Sequence, residues 1–564
     1  MPSLKTILSG LNKGLKLPLI SLPEGVSVQI VSEAESIDLR MDRFKSVLKH
    51  PLFYLGAIFL LTFGMSFVMA GMLVFDGDTF LYTFFWLFCF SFLTFNVNYM
   101  LVSSLYHLCL PLPVLAEQPL KNFPATAVIY PVKNEGTGLY ERIRYSLLSN
   151  SGLPFDLWLL SDSSDPAAIS YEEETLARLR KEFGAQKIRY RRRLHPFEKK
   201  QGNVMSWAHA HPEYATFFIC DADTMIPPGT LEKLVRKAGH PENAGIAIFQ
   251  SSLEIVHAKT YFAKFQAIST RLAQKLYSHV NQAIFKRHVS FGHGCLVRMA
   301  PFLQLRLPKG IWSHDIWDMA LLDQMGYRTV FCPDGVTYDE VPADYLELLP
   351  RNRRWAKGTL QSWPLVFKPG ISLATRFYVA YGMYVFIVQP VFFFWMLASF
   401  WAASASTGVI LKFQRYAFLG GTLVDVELAG MAIFGLAVVF FHKLALCRSF
   451  QDFREVVQEI LFSTLICLNN VFYQTLDILL LPFHEKGKGW VPAKKDPFSS
   501  IRLRDALKML WPSTLLGLAG LYFGLNQSPQ WAFGAMPFLI SFSLIIPLTY
   551  ATAQTNLLKG RVIA

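Results

Sequence analysis

Hydrophobic residues are distributed along this chain in two patterns. Long apolar runs occupy 52–75, 79–112, 376–404, 428–446, 509–526 and 532–553, each close to the roughly 20 residues that cross a bilayer core. Between Leu112 and Thr375 no run is long enough to cross, and apolar residues come in short blocks instead. Thr126–Pro131, Asp156–Leu160, Lys187–Arg191, the block opening at Phe217 and Gly245–Gln250 read as strands. Helical periodicity separates them: Leu139, Ile143 and Leu147 share one face, and 171–184, 229–238, 258–288 and Ile316–Met325 continue the alternation. Strands alternating with helices predict a parallel α/β sheet whose ligands collect at the carboxyl ends of the strands. The expected architecture is one α/β domain inserted in a multi-pass helical membrane protein.

One segment breaks that division. Residues 453–482 are long enough to cross, but Arg454, Glu455, Glu459, Asn469, Asn470, Gln474 and Asp477 interrupt them, and a crossing would put the basic loop 486–508 outside. They read as amphipathic helices lying on the cytoplasmic face. The organisation that follows is a cytoplasmic segment 1–50, two spans in 51–113, the α/β domain 114–372, two spans in 373–447, interfacial helices with a cytoplasmic loop in 448–508, and two spans with a short tail in 509–564.

Composition and charge refine this picture. A chain of 564 residues that is 52% hydrophobic exceeds one soluble core. The net charge of +13 collects in 1–50, in the α/β block, in 443–454, in 486–508 and at the C-terminus. By the positive-inside rule these segments and both termini are cytoplasmic. Because the charge tracks topology, and no nucleic-acid motif accompanies it, nucleic acid is excluded as a partner. The first 50 residues hold no apolar core of signal-peptide type. The seven cysteines form no C-x-x-C pair, as expected of reduced thiols.

Polar clusters fall where strands end. Phe217–Asp223 reads FFICDAD, a hydrophobic strand stopping at two acids one residue apart. Alone, the pair reads first as a turn; its chemical reading is Mg²⁺ or Mn²⁺ held by Asp221 and Asp223 and shared with a diphosphate. Val132–Glu135 and Ser161–Asp162 converge on the same edge. In Lys199–Asn203, Gly202 would allow close backbone approach and Lys200 would meet a phosphate or base, or the stretch is a solvated basic loop. Gly292-His293-Gly294 reads as backbone near a ligand or as a tight turn, and Asp315 as an N-cap or a functional acid. Arg351, Arg353, Arg354 and Trp355 are either a basic patch before a span or a diphosphate clamp with an indole for a sugar face.

The order Asp162, D-A-D, Asp315 and R-x-x-R-W before a span resembles the processive family 2 glycosyltransferases, which include cellulose synthase. That family commonly carries Q-x-x-R-W, and here Arg351 stands in the Gln place. KKQGN at 199–203, FGHGCLVR at 291–298, SHD at 313–315, YDEVP at 338–342, RNRRW at 351–355 and GWVPAKKD at 489–496 are similar in particular to the members that build periplasmic glucans in Gram-negative bacteria. The likeness covers about residues 120–500; the flanks are shorter than is typical.

The resemblance implies a GT-A (Rossmann-like) cytoplasmic domain and an inverting, UDP-glucose-dependent transferase that extends a β-glucan and helps it across the bacterial inner membrane. It carries Glu135, Asp162 and Lys200 onto the nucleoside, Asp221 and Asp223 onto the diphosphate and metal, and Arg351 and Arg354 onto the leaving diphosphate. Asp315 becomes the general base, His314 and Trp355 the acceptor contacts, and the loop with Trp490 and Lys494 a lid, or else an inert basic loop. Expected partners are a UDP-sugar, a β-glucan acceptor, the bilayer and periplasmic glucan-processing proteins. The alternatives are a family 2 enzyme with another UDP-sugar or a lipid acceptor, and a non-catalytic nucleotide sensor.

Overall fold

The computed structural model describes residues 50–72, 80–110, 114–120, 122–405, 416–418, 422–424, 440–481, 501–527 and 529–554. The expected N-terminal segment, most of the 428–446 span and the Trp490/Lys494 loop lie outside them.

Two apolar helices, α1 (Pro51–Met72) and α2 (Phe80–Cys109), precede the α/β domain. Seven strands form its sheet: β1 (Thr126–Val132), β2 (Phe155–Ser161), β3 (Ile188–Arg192), β4 (Thr216–Ile219), β5 (Ile246–Ile255), β6 (Cys295–Arg298) and β7 (Arg328–Asp339). Their order is β3-β2-β1-β4-β6-β5-β7. All neighbours pair in parallel except β6, which runs antiparallel to both β4 and β5. The sheet is therefore mixed. Neither β6 nor β7 was among the strands expected from the pattern, whereas β1–β5 match it closely.

Strand β4 shows why this sequence makes a central strand. Phe217 and Phe218 point to opposite faces, and each is fully buried in a different core. Phe218 packs with α3 (Leu139–Ser149), α4 (Pro166–Phe183) and α6 (Thr230–Gly239). Phe217 packs with Trp207 of α5 (Lys199–Ala210) and with Phe302. The chain reverses direction of crossover between β1 and β4, which opens a crevice at their carboxyl ends.

The amphipathic region resolves into α7 (Tyr261–Ala273), a π-helical turn (Gln274–His279) and α8 (Val280–Phe285). After it come α9 (His314–Gln324), α10 (Tyr345–Leu360) and the long apolar α11 (Leu373–Ala405). An aromatic core of Tyr54, Tyr99, Phe285, Trp317 and Tyr378 joins α1, α2 and α11 to α8 and α9. The 453–482 region forms α12 (Phe450–Leu465) and α13 (Asn470–Leu480), and α14 (Leu503–Gln527) and α15 (Pro529–Ala553) follow.

Among the described residues, five stretches are long and apolar enough to cross a membrane: Pro51–Val68, Phe84–Cys109, Leu373–Phe400, Phe450–Leu480 and Ala535–Ala553. Three of the polar residues that interrupt the fourth are turned inward. Glu459 meets Lys443 and Ser269, Asn469 bonds Ser541 and Ser513, and Asp477 accepts from Arg353 of α10.

Helices α14 and α15 touch at Gly517, where an added Cβ would lie 2.5 Å from Ser543 N and 2.7 Å from Phe542 Cβ. Gly517→Val should separate the pair and lower the unfolding temperature of the detergent-solubilised protein by several degrees. Gly56→Val, in open space, is the matched control; equal shifts for both would remove the packing role of Gly517.

Candidate active site

Strand β4 ends at Cys220, and the chain turns at once through Asp221-Ala222-Asp223-Thr224. The turn is held from below: Thr224 Oγ1 accepts from the Asp221 N–H (3.0 Å) and donates to Asp339 Oδ1 (2.8 Å) at the end of β7. Asp223 is buried, and Asp221 is partly exposed. Lys200, in the first turn of α5, donates to Asp221 Oδ1 (2.5 Å) and to the Gly292 carbonyl (2.7 Å).

Three further groups converge there. His293 Nδ1 lies 3.1 Å from Asp339 Oδ2. Burial alone would lower the His293 pKa, but the Asp339 and Asp221 carboxylates outweigh it and raise it to about 9. Burial raises Asp339 above the usual carboxylate range, with His293 opposing. Arg351 and Arg354 project from α10: burial lowers Arg351 to about 10 against the pull of Asp223 and Asp339, and lowers Arg354 against that of Asp221. Arg351 also lies over the Trp355 ring at 4.1 Å, while Arg353 turns away to Asp477 (2.6 Å).

Asp315 is in the first turn of α9 and does not cap it; its Oδ1 accepts from Ser313 Oγ (2.7 Å). It backs onto the Gly292 turn, where an added Cβ would be 3.2 Å from Asp315 Cβ. Gly292 and Gly294 have φ of 76° and 59°, so the glycines make a tight turn wedged between Asp315 and Thr337. Beside it, His314 Nδ1 is 2.8 Å from the buried Asp318, which Gln201 also contacts.

Asp162 is buried and takes both prongs of Arg193, at 2.7 and 2.6 Å. Gly202 does permit a close approach, but it lies in α5 and approaches the Phe197 carbonyl of the turn before that helix, which an added Cβ would meet at 2.1 Å. Glu135 lies partly exposed past the left-handed Asn134 (φ 53°), whose side chain accepts from Ser164 and Asp165 N–H. Arg193, Thr224, His293 and Asp339 were not among the expected site residues. Two of them had a visible signal, His293 in FGHGCLVR and Asp339 in YDEVP.

The family model described as Glycosyl transferase family 2 matches residues 127–304, and that described as Glycosyl transferase family group 2 matches 216–445. Between them the two models place residues 127–445 among family 2 glycosyltransferase domains, and the mixed sheet is of GT-A type. It is similar to glucans biosynthesis glucosyltransferase H of Caulobacter vibrioides, 27% identical over 79% of this chain and 72% of that one. The protein of that name from Pseudomonas savastanoi pv. phaseolicola is 27% identical over 78% of this chain, which spans only 55% of it. Among solved structures, a mannosyltransferase from Pyrobaculum calidifontis in complex with GDP-Man and Mn²⁺ aligns with a TM-score of 0.43, 14% identity, and 68% and 93% of the two chains.

Because the His293 pKa rises from an ordinary 6.5 to about 9, its charge stabilises the fold fully below pH 6.5, and that contribution is lost as pH rises through about 9. His293→Asn should flatten the alkaline decline of the unfolding temperature. A decline identical to wild type would assign it to other groups.

Proposed function

We propose that this protein is an inverting glucosyltransferase of the inner membrane that transfers glucose from UDP-glucose to a growing β-glucan and helps the product across the bilayer. The observation that carries the reading is the meeting, at the carboxyl edge of the sheet, of the Asp221-Ala222-Asp223 turn, Lys200, the Arg351/Arg354 pair and Asp315. The similarity to glucan-synthesising glucosyltransferases supports the choice of sugar and product.

Asp315 is the general base in this reading. Its carboxylate takes the proton of an acceptor hydroxyl as that oxygen bonds the anomeric carbon, and the bond from that carbon to the diphosphate breaks with its electron pair leaving on phosphate. Arg351 and Arg354 stabilise the charge that builds on the departing group. The attack and departure take opposite faces, so an α-linked donor yields a β-linked product. Asp162, held by Arg193, and Glu135 line the nucleoside side; His314, oriented by Asp318, and Trp355 line the acceptor side.

The two acids of the turn also suit a divalent cation. Among the described residues no three His, Cys, Asp or Glu side chains gather to hold a metal unaided, so Mg²⁺ or Mn²⁺ would sit on Asp221 and Asp223 and complete its shell from donor phosphate and water. Bound there, it supplies counter-charge to the diphosphate.

Helices α12 and α13 dock on the catalytic domain, through Arg271–Glu455 to α7 and through Arg353–Asp477 and Tyr345–Asn470 to α10. That docking supports an interfacial position on the cytoplasmic side, with the catalytic domain and the termini in the cytoplasm.

Full-length protein in nanodiscs, given labelled nucleotide sugars with Mg²⁺ or Mn²⁺, should form a β-linked glucan from UDP-glucose. Incorporation of another sugar would replace the substrate assignment. Asp315→Asn should lower transfer by about a hundredfold or more while UDP binding persists; an active variant would remove Asp315 as the base.

A further inference from the structure

Beside the carboxylate cluster, two lysines from different elements converge on one indole. Lys199 Nζ lies 3.3 Å from the centroid of the Trp312 ring, and Lys357 Nζ 3.9 Å from it. Lys199 opens α5, Lys357 lies on α10 two residues past Trp355, and Trp312 directly precedes Ser313-His314-Asp315.

The backbone around this meeting point is built to keep it. Glu198 and Lys199 both take positive φ, 49° and 51°, a left-handed conformation that residues with a Cβ rarely adopt. Arg193 holds the strained turn by donating to the carbonyls of Phe197 and Lys199, both at 3.1 Å. Glu198 Oε2 accepts from Gly310 N–H (2.8 Å), which joins the turn to the loop that carries Trp312. From the other side, Gln361 at the end of α10 accepts from Trp312 N–H (3.0 Å). Strain retained against such cost is characteristic of ligand clamps.

Charge points the same way. Each ammonium is attracted by the face of the indole, but two like charges at one ring repel. Burial, with Lys357 and Lys133 acting in the same direction and Glu198 opposing, lowers Lys199 to about 8. A ring quadrupole offsets part of that cost, and a bound anion would add to the offset. A pair of ammoniums, each a compact charge with three donors, suits the oxygens of a phosphate. The pair is also separate from the residues read as holding the donor diphosphate. Lys200, Arg351 and Arg354 face Asp221 and Asp223, whereas Lys199 and Lys357 flank the residue leading into Asp315.

We propose that Lys199, Lys357 and Trp312 form a phosphate-binding subsite on the acceptor side of the active site, which takes a phosphate group borne by the acceptor. Its placement on the acceptor side rests on the glycosyltransferase reading above. The phosphate has two possible sources, a phosphorylated sugar or a lipid phosphate, and the subsite chemistry is common to both.

The test is binding to the full chain in uncharged, phosphate-free detergent, with glucose 6-phosphate as the sugar probe, dodecyl phosphate as the lipid probe and UDP as the donor probe. At least one phosphate should bind the wild type, and the Lys199→Gln/Lys357→Gln double variant should raise its Kd about tenfold or more while UDP binding is unchanged. The probe that responds identifies the source, and Lys199→Arg/Lys357→Arg should restore affinity. The proposal is overturned if neither phosphate binds the wild type, if the Gln variant binds both as well as wild type does, or if it weakens UDP equally, which would assign the lysines to the donor. Phosphate binding that depends on these lysines in a chain that binds no UDP would retain the subsite and remove the glycosyltransferase reading.

Discussion

Negative charge gathered at one buried corner is the constraint on which this structure turns. Asp221, Asp223 and Asp339 share the ends of β4 and β7, two of them buried. Two unit charges 4 Å apart at an effective dielectric of 20 interact by about 4 kcal/mol, so such a corner holds together only with cations set among the acids. Lys200, His293, Arg351 and Arg354 provide them. These cations come from α5, from the turn before β6 and from α10, so the sheet end cannot keep its shape unless three separate parts of the domain are in place.

That dependence gives the antiparallel strand its purpose. Strand β6 enters the sheet between β4 and β5 from the crevice side, and the turn that starts it delivers His293 to Asp339 and the Gly292 carbonyl to Lys200. The chain reaches that turn from α8, which is fastened to the membrane helices: Tyr99 of α2 donates to Asn281, and Tyr378 of α11 to the Arg287 carbonyl. The apolar helices and the acidic corner are thus fastened to the same short stretch of chain.

Strands β1–β5 and the helices α3, α4 and α6 were legible because their signals are local: period-two burial, helical spacing and polar residues at strand ends; α5, whose first turn Lys199–Asn203 reads as a basic loop, was not. The alternation that made them visible also hid β6 and β7. Strand β6 has only four residues and carries no periodicity of its own, while β7 runs through Pro333 and Gly335, residues that read as loop. Site residues divide along the same line. Asp221, Asp223, Asp315, Arg351 and Arg354 could be named because they recur in a recognisable order. The His293–Asp339 and Arg193–Asp162 pairs span 46 and 31 positions, and spacing in sequence says nothing about such contacts. Likewise, Glu459, Asn469 and Asp477 interrupt an apolar run in the sequence, and each is buried and bonded to protein. Polarity in the sequence does not distinguish a solvated face from an internal hydrogen-bonding one.

Arg351 shows how one departure from the family pattern alters the site. A Gln in its place would bring hydrogen-bonding capacity without charge; the guanidinium adds a buried cation within electrostatic reach of Asp223 and Asp339. It also lies over Trp355 at 4.1 Å, so that one face of the indole is covered by arginine. Trp355 is still 52% exposed, and only the uncovered face can stack on a sugar. A ring held on one side by a cation that answers to the acidic corner is fixed in orientation by the same charges that would bind the donor. In this chain, Trp355 and the arginine pair are therefore parts of one electrostatic unit, joined through Arg351, which the more common glutamine would leave uncharged.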